Sequence, residues 1–138
     1  MVSKKIIYEF LNSQQHMVIT TVNEKANPQA AFVGFAQNRD LEIVFGTDMT
    51  TRKAENLSRN PNVALVVNGE NYNVQYEGKA ALLKGIELEK MQKIFFKKVP
   101  GLKKYSQLTN QIYFKITPIW IRFIDHTFSP GKVSEIKF

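Results

Sequence analysis

Between residues 17 and 45 three β-rich, apolar runs follow one another (17–22, 29–36 and 41–45), parted only by the polar turns 23–28 and 37–40. Connections this short join neighbouring strands that run in opposite directions, so an antiparallel meander is expected. The same texture returns at residues 62–68, 72–83, 112–116 and 119–124, the last two separated by Thr117-Pro118. The run 62–68 is apolar almost throughout and predicts a strand buried on both faces. Gly78 marks a bend in the long run that contains it.

Three further segments carry a helical period. In residues 3–12, Ile6, Ile7, Phe10 and Leu11 share one side and Ser3 can cap the start. Residues 54–60 form a short helix stopped by Pro61. In residues 86–98, Met91, Ile94 and Phe95 make an apolar side, and Pro100-Gly101 ends the pattern. The tail from Phe128 onward is poorly specified. Strands with helices inserted at intervals predict one domain over residues 1–138, mainly β with helical additions, built as a small β-barrel. An open α+β sheet is the alternative.

A chain of 138 residues buries about two-thirds of its unfolded surface, enough for a core without covalent staples. It has no cysteine, which removes disulfides, thiol nucleophiles and cysteine metal sites. No apolar run approaches the roughly 20 residues of a membrane span. The apolar stretch from Ile6 to Leu11 is too short and interrupted for a signal peptide, so a cytoplasmic location and no membrane partner are expected. Asn56-Leu57-Ser58 matches a glycosylation sequon but falls in a predicted helix and is set aside.

The net charge of +7 suits an anionic cofactor, an anionic substrate or nucleic acid. A nucleic-acid platform needs exposed aromatics among its cations. The clusters Lys97-Lys98 and Lys103-Lys104 read more simply as a solvated helix end that complements the helix dipole, and no nucleic-acid partner is expected. His16 and His126 are candidate haem or metal ligands, but neither belongs to a His-x-x-x-His pair, and no metal site is expected. No phosphate loop, nucleophile elbow or carboxylate pair appears.

The segment from Phe45 to Lys53 stands apart. Hydroxyls and the adjacent cations Arg52 and Lys53 lie where a strand hands over to a helix. Free N–H groups and the positive end of the dipole make that first turn unfavourable for cations unless an anion comes too, and a phosphate resolves the conflict. The bland alternative is a capped helix start with two solvent-facing cations.

Phe45-Gly46-Thr47, Thr51-Arg52-Lys53, Leu57, Asn60-Pro61 and the apolar run from Val63 to Val67 together resemble the FMN-binding split barrels related to pyridoxamine 5'-phosphate oxidase. The run from Met17 to Glu24 with Pro28, and Glu77-Gly78 in a long strand, extend the resemblance from about Met17 to Leu83, and more loosely to Asp125. It implies a split β-barrel of about six to seven antiparallel strands with FMN at a homodimer interface. By position, Thr51, Arg52 and Lys53 would hold the FMN phosphate, and Thr47 with Gly46 would lie close to the flavin. Phe32 and Val33 would approach the ring with backbone groups. Asn73 stands where the oxidase directs a glutamine at the ring's polar edge. Trp120, the only tryptophan, would contribute to the flavin site or pack in the barrel.

Two departures bear on substrate. Ala31 and Ala36 stand where the oxidase carries an arginine and a lysine, and the stretch from Ile121 to His126 lacks its Arg-x-His motif. The resemblance therefore implies an FMN-dependent oxidoreductase of unknown small-molecule substrate, with an electron donor such as NAD(P)H, and not pyridoxamine phosphate oxidation. The alternative it leaves is a non-enzymatic flavin or haem protein for storage or sensing. No side chain is assigned as a catalytic acid or base.

Overall fold

The computed structural model describes residues 2–138. Helix α1 (Lys4–Asn12) starts at Ser3, whose hydroxyl accepts the N–H of Ile6 at 3.2 Å. It buries Ile7, Phe10 and Leu11, while Ile6 turns to solvent. The hairpin β1 (His16–Val22) and β2 (Pro28–Gly34) follows. After Phe35 come the two-residue β3 (Ala36–Gln37) and β4 (Ile43–Asp48). Helix α2 (Arg52–Arg59) leads into β5 (Asn62–Asn68) and β6 (Tyr72–Leu82). Helix α3 (Gly85–Lys98), a 3-10 helix (Pro100–Gln107), β7 (Gln111–Asp125) and β8 (Lys132–Lys137) complete the chain.

The strands lie in the order β2-β1-β5-β6-β7-β4-β3, with β8 added to β7. All pairings are antiparallel. The sheet curls around a core that includes Phe35, Phe45, Leu65, Tyr76, Ile116 and Ile121, with α1 packed into it through Ile7 and Leu11. This is the split barrel with helical additions that the sequence predicts. A smaller apolar layer joins α3 to the outside of β3, β4 and β7 through Ala36, Val44, Met91, Phe95 and Tyr113.

Four expectations change. First, β5 is not buried on both faces. Val63, Leu65 and Val67 point inward while Ala64 and Val66 are exposed, because among the described residues no helix packs closely on β5. Second, the two strands expected around Thr117-Pro118 are one. Proline is tolerated at a bulge, and Pro118 pairs with Gly78 beside the register shift between Glu77 and Gly78. A side chain at Gly78 would sit 2.5 Å from the Thr117 carbonyl, so the close approach needs glycine. On the other edge of β7, β4 pairs with residues 111–116 and β8 with residues 120–125, so neither ladder needs an N–H from residue 118. Third, the tail supplies β8. Fourth, Leu41 does not open a strand: its φ is +65°, and β4 starts two residues later.

Candidate functional site

Helix α2 is built to start sharply. The Thr51 hydroxyl accepts the Ala54 N–H at 3.3 Å, donates to the Asp48 carbonyl at 2.9 Å and lies 3.0 Å from the Thr47 hydroxyl. The Asp48 carboxylate accepts the Thr50 hydroxyl at 2.7 Å and the Thr50 N–H at 2.8 Å. Those two bonds, the hydroxyl's first, hold Asp48 below the usual carboxylate range. Thr51 is thus spent on the cap, and it shapes the turn that presents Arg52 and Lys53.

Among the described residues neither cation has a carboxylate partner. Glu55, the first-turn acid, is taken by Arg59 at 2.8 Å. Burial pushes the half-buried Lys53 ammonium below the ordinary lysine value. Both cations line a cleft of about 370 Å³ with Thr50, Thr51 and, from the β1–β2 hairpin, Thr21, Gln29, Ala30 and Ala31.

Asn56 fixes the gap between helix and hairpin. It is only 4% exposed, and its amide N–H groups donate to the Thr21 hydroxyl at 2.9 Å and the Gln29 side-chain oxygen Oε1 at 3.0 Å. Sequence reasoning misses Thr21, Gln29 and Asn56 as site residues. The available signal is an asparagine, a weak helix former, inside a short helix and next to the apolar Leu57.

The other expected residues are spread out. Thr47 is buried near Thr51. At Gly46 a side chain would meet the Tyr113 ring at 2.7 Å, so this glycine makes room for Tyr113. Val33 packs against the barrel core, whereas Phe32 is 71% exposed and stacks on His16 at 4.8 Å. Among the described residues strand β2 pairs only with β1, which leaves its other backbone edge beside the cleft unpaired by strand. Asn73 bonds His126 at 3.1 Å, and its side-chain oxygen is buried without a partner. Trp120 does not pack inside the barrel: it is half-buried and its indole N–H donates to Glu135 at 3.2 Å.

Strand periodicity nevertheless relates three of these residues. Cross-strand partners share a sheet face, and so do residues two apart. Phe32 pairs with Val18 and Val18 with Val66; Val66 pairs with Gln75, two residues from Asn73 and from Glu77, whose partner is Trp120. Phe32, Asn73 and Trp120 therefore lie on the outer face of the sheet, with Val18 and Val66 exposed between them.

The solvated helix end expected of Lys97-Lys98 and Lys103-Lys104 is corrected at Lys98 alone; the other three lysines are exposed. Lys98 folds back, donating to the Leu11 carbonyl at 2.9 Å and to Gln37 at 2.6 Å, with its ammonium 3.7 Å from the Phe35 ring centroid. Burial pushes it down to about 7. Ala36 is fully buried beneath α3, where a lysine would enter an apolar layer.

Among the described residues no helix is long and apolar enough to cross a membrane, and no three His, Asp or Glu side chains gather as a metal site. The chain is similar in fold to a heme binding protein from Mycobacterium smegmatis, at 15% identity and a TM-score of 0.85 over 99% of this chain; it spans 59% of that protein. General Stress Protein 26 from Bacillus anthracis superposes with a TM-score of 0.74 at 22% identity, covering 96% of this chain and 98% of its own. HutZ, the heme storage protein from Vibrio cholerae, superposes with a TM-score of 0.65 at 20% identity, covering 86% and 91%. At these identities the likeness establishes the fold. No curated protein sequence matches the chain significantly. The sequence profile of pyridoxamine 5'-phosphate oxidase matches residues 3–125, nearly the whole of the barrel just described. The chain therefore belongs to the pyridoxamine 5'-phosphate oxidase family.

Proposed function

We propose that the protein binds FMN as a homodimer and works as an oxidoreductase on a small molecule other than pyridoxamine phosphate. The observation that carries this reading is the cleft at α2, where Arg52 and Lys53 stand at the positive end of the helix and, among the described residues, neither has a carboxylate partner. A phosphate monoester fits that donor set, since Arg offers a planar fork and Lys a point charge. Bound FMN would supply the electron chemistry; the chain's residues would hold its phosphate, orient its ring along the free edge of β2 and exclude water. Exposed Val18, Phe32 and Val66 make the outer sheet face a natural seat for a second copy, which would bring Asn73 and Trp120 toward a ring held by the partner. An electron donor such as NAD(P)H completes the proposal. The purified protein should be yellow, or should gain thermal stability when FMN is added; a colourless chain indifferent to FMN would sink the reading.

A second reading has its own support. Two of the structures it resembles are named as heme binding or heme storage proteins, and His16 and His126 both lie exposed on this chain. Haem storage predicts a Soret band on adding haemin, lost in His16→Ala or His126→Ala, and no turnover with NAD(P)H.

A further inference from the structure

A second cavity, of about 510 Å³, opens where α1, the β3–β4 turn and α3 meet, and it shares no lining residue with the cleft at α2. Its size lies within the usual range for small-molecule pockets, roughly 300–1,000 Å³. Tyr8, Asn12, Gln37, Arg39, Lys97 and Lys98 stand among its walls. Three of these are basic side chains and no lining residue is a carboxylate. Among the described residues none of the three is in an ion pair.

The arrangement is held from within. The Arg39 guanidinium lies 4.4 Å from the Tyr8 ring centroid, which restricts its fork before anything binds. Gln37, 2% exposed, donates to Asn12 at 3.0 Å and accepts from Lys98. Lys98 is fixed only by neutral groups: a carbonyl, an amide oxygen and an aromatic face. Removing a cation from water without a counter-charge is unfavourable, and an anion beside it offsets that cost. The C-terminus of α3 contributes about half a negative charge at this place. Arg39 and Lys97 alone outweigh it.

We propose that this cavity is a second oxyanion site, independent of the flavin cleft, that takes a small molecule bearing a phosphate or carboxylate group, with Arg39 and Lys97 gripping the anionic group and Lys98 closing the inner end. The test uses the full chain carrying Arg52→Ala and Lys53→Ala, so that the flavin cleft is silent, and titrates inorganic phosphate and, separately, succinate by calorimetry. At least one anion should bind, and adding Arg39→Ala with Lys97→Ala should weaken it at least tenfold. The preferred anion identifies the head group. No binding of either anion, or binding unchanged by the added pair, overturns the proposal. Both positions are exposed, and Arg39→Gln with Lys97→Gln provides a second pair that keeps the side-chain stems. Failure of the flavin reading would leave this experiment unaffected.

Discussion

Tyr76 shows how one side chain can secure a strained backbone. Leu41 adopts φ +65°, uncommon for a residue with a branched side chain, yet its side chain is fully buried. The Tyr76 hydroxyl, 2.7 Å from the Leu41 carbonyl and 3.2 Å from that of Ile116, ties the β3–β4 turn to β7 across the core. Tyr76→Phe leaves two buried carbonyls without that donor and should cost about 1–3 kcal/mol in urea unfolding, with FMN binding kept by the folded fraction. Thr51→Ala acts on another local device. It removes a helix cap and should cost about 1 kcal/mol while loosening the grip on FMN. A Thr51→Ala protein as stable as the parent would show that the cap hydroxyl does not hold the turn.

At the scale of elements, α2 and α3 use their cations in opposite ways. On α2, Arg52 and Lys53 face a cleft, and Arg52→Ala with Lys53→Ala should lower FMN affinity at least a hundredfold, at about 1.5–3 kcal/mol for each charged hydrogen bond. The apo protein's unfolding midpoint should stay nearly fixed, because cations without partners add little to stability. On α3, Lys98 ties the helix to α1 and β3. Its amine gives up the proton near 7 in the folded chain and near 10.5 when unfolded. Between those values the unfolded chain holds more protons, so stability should rise with pH from about 7 to about 10. Lys98→Met should flatten that slope in unfolding curves taken across the window. These elements also mark what was legible in the sequence. The start of α2 could be read because its signals are neighbours: a capping threonine, two cations, then Asn60-Pro61. Asn56 could not be read as its anchor, since Thr21 and Gln29 lie far away in the chain. Lys98 looked solvated because its partners Leu11 and Gln37 belong to other elements. Pro118 looked like a strand end because a proline's penalty is local, while its relief comes from a bulge with β6 and a change of partner from β4 to β8.

At the largest scale the sheet curls with one face inward and leaves Val18, Phe32 and Val66 exposed on the other. If a second copy covers Val18, Phe32 and Val66, then Val66→Asp should convert the dimer to monomers in sedimentation and weaken FMN binding together. A variant that stays dimeric and keeps its flavin would move the interface elsewhere. Residue 66 points away from the core, so the charge should leave the monomer folded. Strand β7 has a different consequence. It alone pairs with β4, β6 and β8, joining Ile43 to Ile116 and Tyr72 to Asp125. Until it arrives, β4 has only the two-residue β3 beside it, and the barrel has no lock. Contacts this distant in sequence form slowly, since loop entropy is lost before they reward it. The β1–β2 hairpin can form as the chain emerges, but closure waits for the last third of the polypeptide. In stopped-flow experiments, conservative truncations in β7 such as Ile121→Val should therefore speed unfolding more than they slow folding, the kinetic signature of a clasp fastened last.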